Sequence, residues 1–166
     1  MLSLVIDSFE FSRQKDRREG QVPVADLSRF QADAADNSGI ISWVLQGDSD
    51  KFGHPMLRLS VSGSVQLVCQ RCLKPFAFDI DAKSQLILAK DEAAIDAIED
   101  VIEDDSVDVI VGSKELNLSE LIEDEALLSI PLSPKHDTCS EQESMDVLKS
   151  LTKTSPFAVL KDMKSD

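Results

Sequence analysis

The chain has 166 residues, 17 Lys and Arg against 31 Asp and Glu, a formal charge of -14 and 42% hydrophobic residues. That suits one domain with a real core and excludes both global disorder and a disulfide scaffold. No stretch approaches the roughly 18 to 20 apolar residues that span a bilayer, and residues 1–10 lack a basic segment followed by a long apolar run, so a soluble cytoplasmic protein is expected.

Residues 1–30 carry five acids and five bases. Arg13, Lys15, Arg17 and Arg18 form a small cationic cluster between two apolar stretches, and Arg17 and Arg18 are read as partner or RNA contacts. Residues 26–30 read as a short helix. Residues 40–45, entered through Asn37, Ser38 and Gly39, read as a strand bearing the only tryptophan, Trp43.

The clearest local signal follows. Leu57, Leu59, Val61, Val65, Leu67 and Cys69 hold odd positions while Arg58, Ser60, Ser62, Ser64 and Gln66 hold even ones, the pattern of a strand with one face inward. Gly63 interrupts the apolar row and marks a bulge or a close backbone approach. After a turn over residues 69–75 the alternation resumes with Phe76, Phe78, Ile80, Ala82, Leu86 and Leu88. Two long strands meeting at a cysteine-bearing tip are predicted.

Residues 91–128 hold fourteen acids and one base, Lys114, and so supply -13 of the total charge. The part over about 91–106 reads as an acidic loop, either simply solvated or offered to something basic. It repels a phosphate backbone over about a Debye length, roughly 8 Å at physiological salt, and leaves other faces able to touch RNA. Residues 107–111 read as a short strand. Asn117, with Glu120 three positions on, then has the logic of a helix cap. The helix over 118–129 carries Leu118, Leu121, Ile122 and Ala126 on one face with Glu123 and Asp124 outside, and Pro131 and Pro134 end it. A thinner helix is read over 140–151, and residues 156–160 form an apolar docking segment. The division is thus a main domain over 1–139 and a C-terminal extension over 140–166.

Cys69 and Cys72 place two thiols across a tight turn, a spacing from which both sulfurs reach one tetrahedral metal at about 2.3 Å. His136 and Cys139 repeat that spacing beyond the helix stop. The four together make a complete three-cysteine, one-histidine set that fits a closed, structural zinc site stapling the tip to the loop after the helix. Plain reduced thiols are one competing reading, and use of the Cys69–Cys72 pair as a thiol oxidoreductase is another, but the latter needs a helix N-terminus to lower a thiol pKa, and here Lys74 and Pro75 lead into a strand. Arg71 and Lys74 are cations placed for an RNA or protein partner. Enzyme motifs are otherwise missing, with no phosphate loop, nucleophile elbow or His-Glu-x-x-His, and no catalytic or cofactor-binding residue is assigned.

Three segments carry a resemblance: VQLVCQRCLKPF over residues 65–76, NLSELIEDEALLSIPLSPKHDTC over 117–139 and SPFAVLKDMK from Ser155. In this order they resemble the bacterial YceD family, the large ribosomal RNA subunit accumulation proteins. The resemblance implies a non-catalytic role in the synthesis, processing or stability of large-subunit ribosomal RNA, that is, in ribosome biogenesis. Where many relatives carry a richer cysteine set after the proline exit, this chain has His136 and Cys139. The expected partners are a large-subunit ribosomal RNA precursor or a basic ribosomal or processing protein, with neither membrane nor DNA among them. A zinc-binding interaction module and a thiol oxidoreductase stand as the alternatives. The expected fold is a single α+β domain on an antiparallel β-sheet, with a long hairpin and a packed C-terminal helix; whether the sheet curls into a barrel is left open.

Overall fold

Asp7 starts the first helix by accepting the backbone N–H groups of Phe9 and Glu10 at 3.1 and 3.0 Å, which satisfies donors a helix N-terminus leaves unpaired. The computed structural model describes residues 4–139 apart from 103 and 105. The C-terminal extension, with the helix read over 140–151 and the apolar segment 156–160, lies outside the described residues. In chain order the elements are β1 (Val5–Ile6), α1 (Ser8–Gln14), β2 (Arg17–Pro23), β3 (Ala34–Ser49), β4 (Pro55–Val68), β5 (Pro75–Ala89), α2 (Glu92–Glu99), β6 (Val107–Val111), β7 (Leu116–Asn117) and α3 (Leu118–Ser129). None of these helices is long and apolar enough to cross a membrane.

Five strands form one sheet in the order β2-β3-β4-β5-β6. Each neighbouring pair is antiparallel except β5 and β6, which run parallel from Gln85 beside Val107 to Ala89 beside Val111. A parallel neighbour needs a crossover, and the chain between Ala89 and Val107 supplies it with α2 on the way. The stretch read as an acidic loop is therefore partly helical. Asp91 caps α2 by accepting the Ala94 N–H at 2.9 Å, and no residue of α2 is buried. The sheet does not close: β2 and β6 remain as its edges, so the curl into a barrel is not found. A second, two-residue pair joins β1 to β7, with Val5 beside Asn117.

The alternation along β4 places Leu57, Leu59, Val61, Val65, Leu67 and Cys69 in the core, each at most 1% exposed. Ile41, Trp43 and Leu45 of β3 and Ile80, Leu86 and Leu88 of β5 face the same way, and Leu118, Ile122 and Ala126 of α3 cover them. Gly63 is a close approach, since a Cβ there would lie 2.5 Å from the carbonyl oxygen of Ile40.

Two further expectations change. Residues 26–30 do not form a helix; two single 3-10 turns, Val24–Asp26 and Phe30–Ala32, flank Leu27, and Phe30 is fully buried. Glu123 is not outside α3 but 6% exposed, because its carboxylate accepts the N–H groups of Arg29 and Phe30 at 2.7 and 3.1 Å and the Arg29 Nε at 3.1 Å. One buried acid thus supplies the hydrogen bonds that a run too short for an α-helix cannot make for itself.

Candidate metal centre

The β4–β5 hairpin turns over residues 69–74. The Cys69 N–H donates to the Lys74 carbonyl at 3.0 Å, and the Leu73 N–H donates to the Cys69 carbonyl at 2.8 Å. Pro131 and Pro134 keep the chain after α3 from continuing as helix. It returns to the tip, where the Gln70 N–H donates to the Pro134 carbonyl at 2.9 Å. Two loops far apart in sequence are thereby laid side by side, and each carries half of a ligand set.

Cys69, Cys72, His136 and Cys139 converge, with their ligand atoms all within 4.8 Å of one another, and the group could hold a metal ion. The Cys69 and Cys139 sulfurs are 3.6 Å apart, the Cys72 sulfur is 3.3 Å from His136 Nδ1, and the Cys139 sulfur is 3.8 Å from the same nitrogen. A tetrahedral site with metal–sulfur bonds of about 2.3 Å and metal–nitrogen bonds of about 2.0 Å has ligand-to-ligand edges of roughly 3.5 to 3.8 Å. The donor set suits such an ion, and the three contacts of 3.3 to 3.8 Å lie near those edges. Phe76 packs on the His136 ring, with centroids 5.0 Å apart and the ring planes inclined at 44°.

Electrostatics point the same way. Burial pushes the Cys69 thiol up, but the N–H groups of Cys72, His136 and Arg71 directed at its sulfur prevail and bring its pKa down to about 5. The Arg71 and His136 N–H groups lie 3.4 and 3.5 Å from that sulfur. Cys139, half-buried, is pushed up to about 11 by desolvation and by the neighbouring Cys69 and Cys72 sulfurs. The two sulfurs, shifted in opposite directions, meet at 3.6 Å, and a cation bound among them would displace whatever protons they carry.

The cations read as contacts divide. Arg71 and Lys74 sit on the exposed tip beside the cluster. Arg17 and Arg18 sit on β2 at the level of Arg58, ten residues of β4 from Val68, or roughly 33 Å along the strand. There Arg17 pairs with Glu19 at 2.6 Å and Arg18 with Asp16 at 3.8 Å, while Arg13 pairs with Glu10 and Lys15 with Asp48. The acidic residues of α2 follow the far end of β5, so the hairpin separates a cationic tip from an acidic end. His54 is a turn residue whose Nδ1 lies 2.8 Å from the Asp50 carboxylate.

A family model described as large ribosomal RNA subunit accumulation protein YceD matches residues 57–164, a span that contains the four clustered Cys and His residues, both loops and α3. No solved structure matches the chain.

Proposed function

Because the chain belongs to the YceD family, we propose that it acts in the cytoplasm as a non-catalytic factor in the synthesis, processing or stability of large-subunit ribosomal RNA, with zinc held by Cys69, Cys72, His136 and Cys139. The ion would supply a tetrahedral cross-link between the hairpin tip and the loop after α3. With four protein ligands it has no open position for water, so the role is structural.

The observation that carries the reading beyond the family is the separation of charge along the hairpin. The tip offers Arg71 and Lys74 to the phosphates of a ribosomal RNA precursor. At the other end Glu92, Asp96, Glu99 and Asp100 of and after α2 stand in solvent, a surface suited to a basic ribosomal or processing protein. Phosphate is repelled at one end and attracted at the other, which orients the protein on a ribonucleoprotein. Thiol exchange has less support, since Cys69 is fully buried and the segment after Cys72 enters β5 rather than a helix.

Neutralising the acids over residues 99–108 tests the division of labour. The variant is expected to keep its fold and metal and to lose a basic partner at moderate salt. Retention of every partner would show that the acidic end is only a solvated surface.

A further inference from the structure

Leu73 has a backbone φ of +59°, in the left-handed region that bulky side chains avoid and that glycine or asparagine adopts at less cost. The turn imposes it. With Cys69 donating to the Lys74 carbonyl and accepting from the Leu73 N–H, the chain must reverse within one residue after Cys72. What the turn does not impose is a leucine, and the side chain is 76% exposed, so the fold recovers little by burying it. A strained residue that brings no packing is an indication of use elsewhere.

Its surroundings identify the use. Leu132, on the loop tied to the tip through Gln70 and Pro134, is fully exposed, and Arg71, Lys74 and Lys135 are exposed on the same two loops. Against these three cations the two loops carry one acid, Asp137, in a chain whose overall charge is -14. Two apolar side chains among cations, on loops joined by hydrogen bonds, complement a polyanion that also presents an apolar face. Paired RNA hides its base faces, whereas a bulge or loop exposes them next to the phosphates.

We propose that Leu73, supported by Leu132, is a wedge that packs against an unstacked base of a bulged or looped RNA while Arg71 and Lys135 hold the flanking phosphates. This rests on the RNA contact proposed above and specifies its target as non-helical RNA. Lysines and arginines give salt-dependent affinity, and the leucine gives selectivity for the interruption.

The test compares the full-length protein with Leu73→Gly, Leu73→Asn and Arg71→Ala on two probes, a fully paired RNA duplex and the same duplex carrying a bulge, over a range of salt. The wild type is expected to favour the bulged probe. Leu73→Gly and Leu73→Asn should lose about tenfold on the bulged probe, the effect of no longer burying one leucine side chain, and nothing on the duplex, with the salt slope unchanged. Arg71→Ala should weaken both probes alike and reduce the slope by about one. The thermal midpoint of Leu73→Gly should equal or exceed that of the wild type. Equal binding by wild type and both Leu73 variants would overturn the wedge and leave the RNA contact standing. A lowered midpoint for Leu73→Gly would make Leu73 a structural residue and also overturn it. If the wild type binds neither probe, the RNA contact itself fails, and a protein cross-linked to the wild-type tip but not to Leu73→Gly would assign the leucine to a protein partner instead.

Discussion

The Cys72 sulfur lies 3.3 Å from Nδ1 of His136, a residue 64 positions further along the chain. Between them run β5, the acidic crossover and α3, so this contact closes a loop holding most of the C-terminal half of the described domain. Cys69 and Cys139 repeat the closure at 3.6 Å. A metal ion joining residues across so long a loop would brace the fold at a point where loop closure is entropically expensive.

If zinc fills this cluster, the purified protein should carry one ion per chain by native mass spectrometry. Stripping it with a chelator, or replacing Cys139 by Ser, should lower the thermal midpoint by about 10 °C or more. A protein that shows no zinc and ignores the chelator would leave the four residues as a packed thiol cluster.

Glu123 holds two backbone N–H groups and the Arg29 side chain from a buried position. Glu123→Ala orphans the Arg29 and Phe30 donors and should cost about 2–4 kcal/mol in urea unfolding. Glu123→Gln keeps one carbonyl acceptor and should cost less than half of that. Equal losses would mean that the charge, rather than the hydrogen-bond geometry, matters at this site.

At Gly63 the neighbouring strand leaves no room for a side chain. Gly63→Ala should therefore destabilise the domain by about 1–3 kcal/mol through a shift of β3 away from β4. Ser62→Ala, on an exposed position one residue away, serves as the control and should stay within about 0.5 kcal/mol.

Asp50 gives a pH signature. Burial raises its carboxyl pKa, but the His54 ring and the N–H groups of His54 and Phe52 outweigh that and hold it below the ordinary carboxylate value. The folded state thus binds this proton less readily than the unfolded chain does. Its contribution is complete above the unfolded value of about 4 and is lost as pH falls through the lower folded value. Asp50→Asn should be less stable than wild type at pH 7, with the gap narrowing below about pH 4. A gap that stays constant with pH would remove the charge from the explanation.

Much of this was legible in the residues. The period-two run from Leu57 to Leu88 yields β4 and β5, the Asn117 cap begins α3, and residues 107–111 coincide with β6. Paired two-residue spacings were enough to pick out the four residues that converge, because each pair is local even though the whole cluster is not. Elements with little apolar content left a weaker trace. In β2 only Val22 is buried, since this edge strand opens with the charged Arg17, Arg18 and Glu19, and the ion pairs of Arg17 and Arg18 keep it polar. The burial of Glu123 could not be read from α3 because its partners lie more than ninety residues upstream. Leu73 carries no turn signature, so its left-handed backbone emerges only from the hydrogen bonds that close the tip.

The most direct test of the account is a gradient fractionation of cells expressing the tagged protein, cross-linked before lysis, with bound RNA and proteins identified in each fraction. The account predicts cofractionation with large-subunit precursors, RNA cross-links at the tip near Arg71 and Leu73, and protein cross-links at the acidic end near Glu99. A protein that stays at the top of the gradient with no RNA attached would contradict a direct role on the ribosomal precursor.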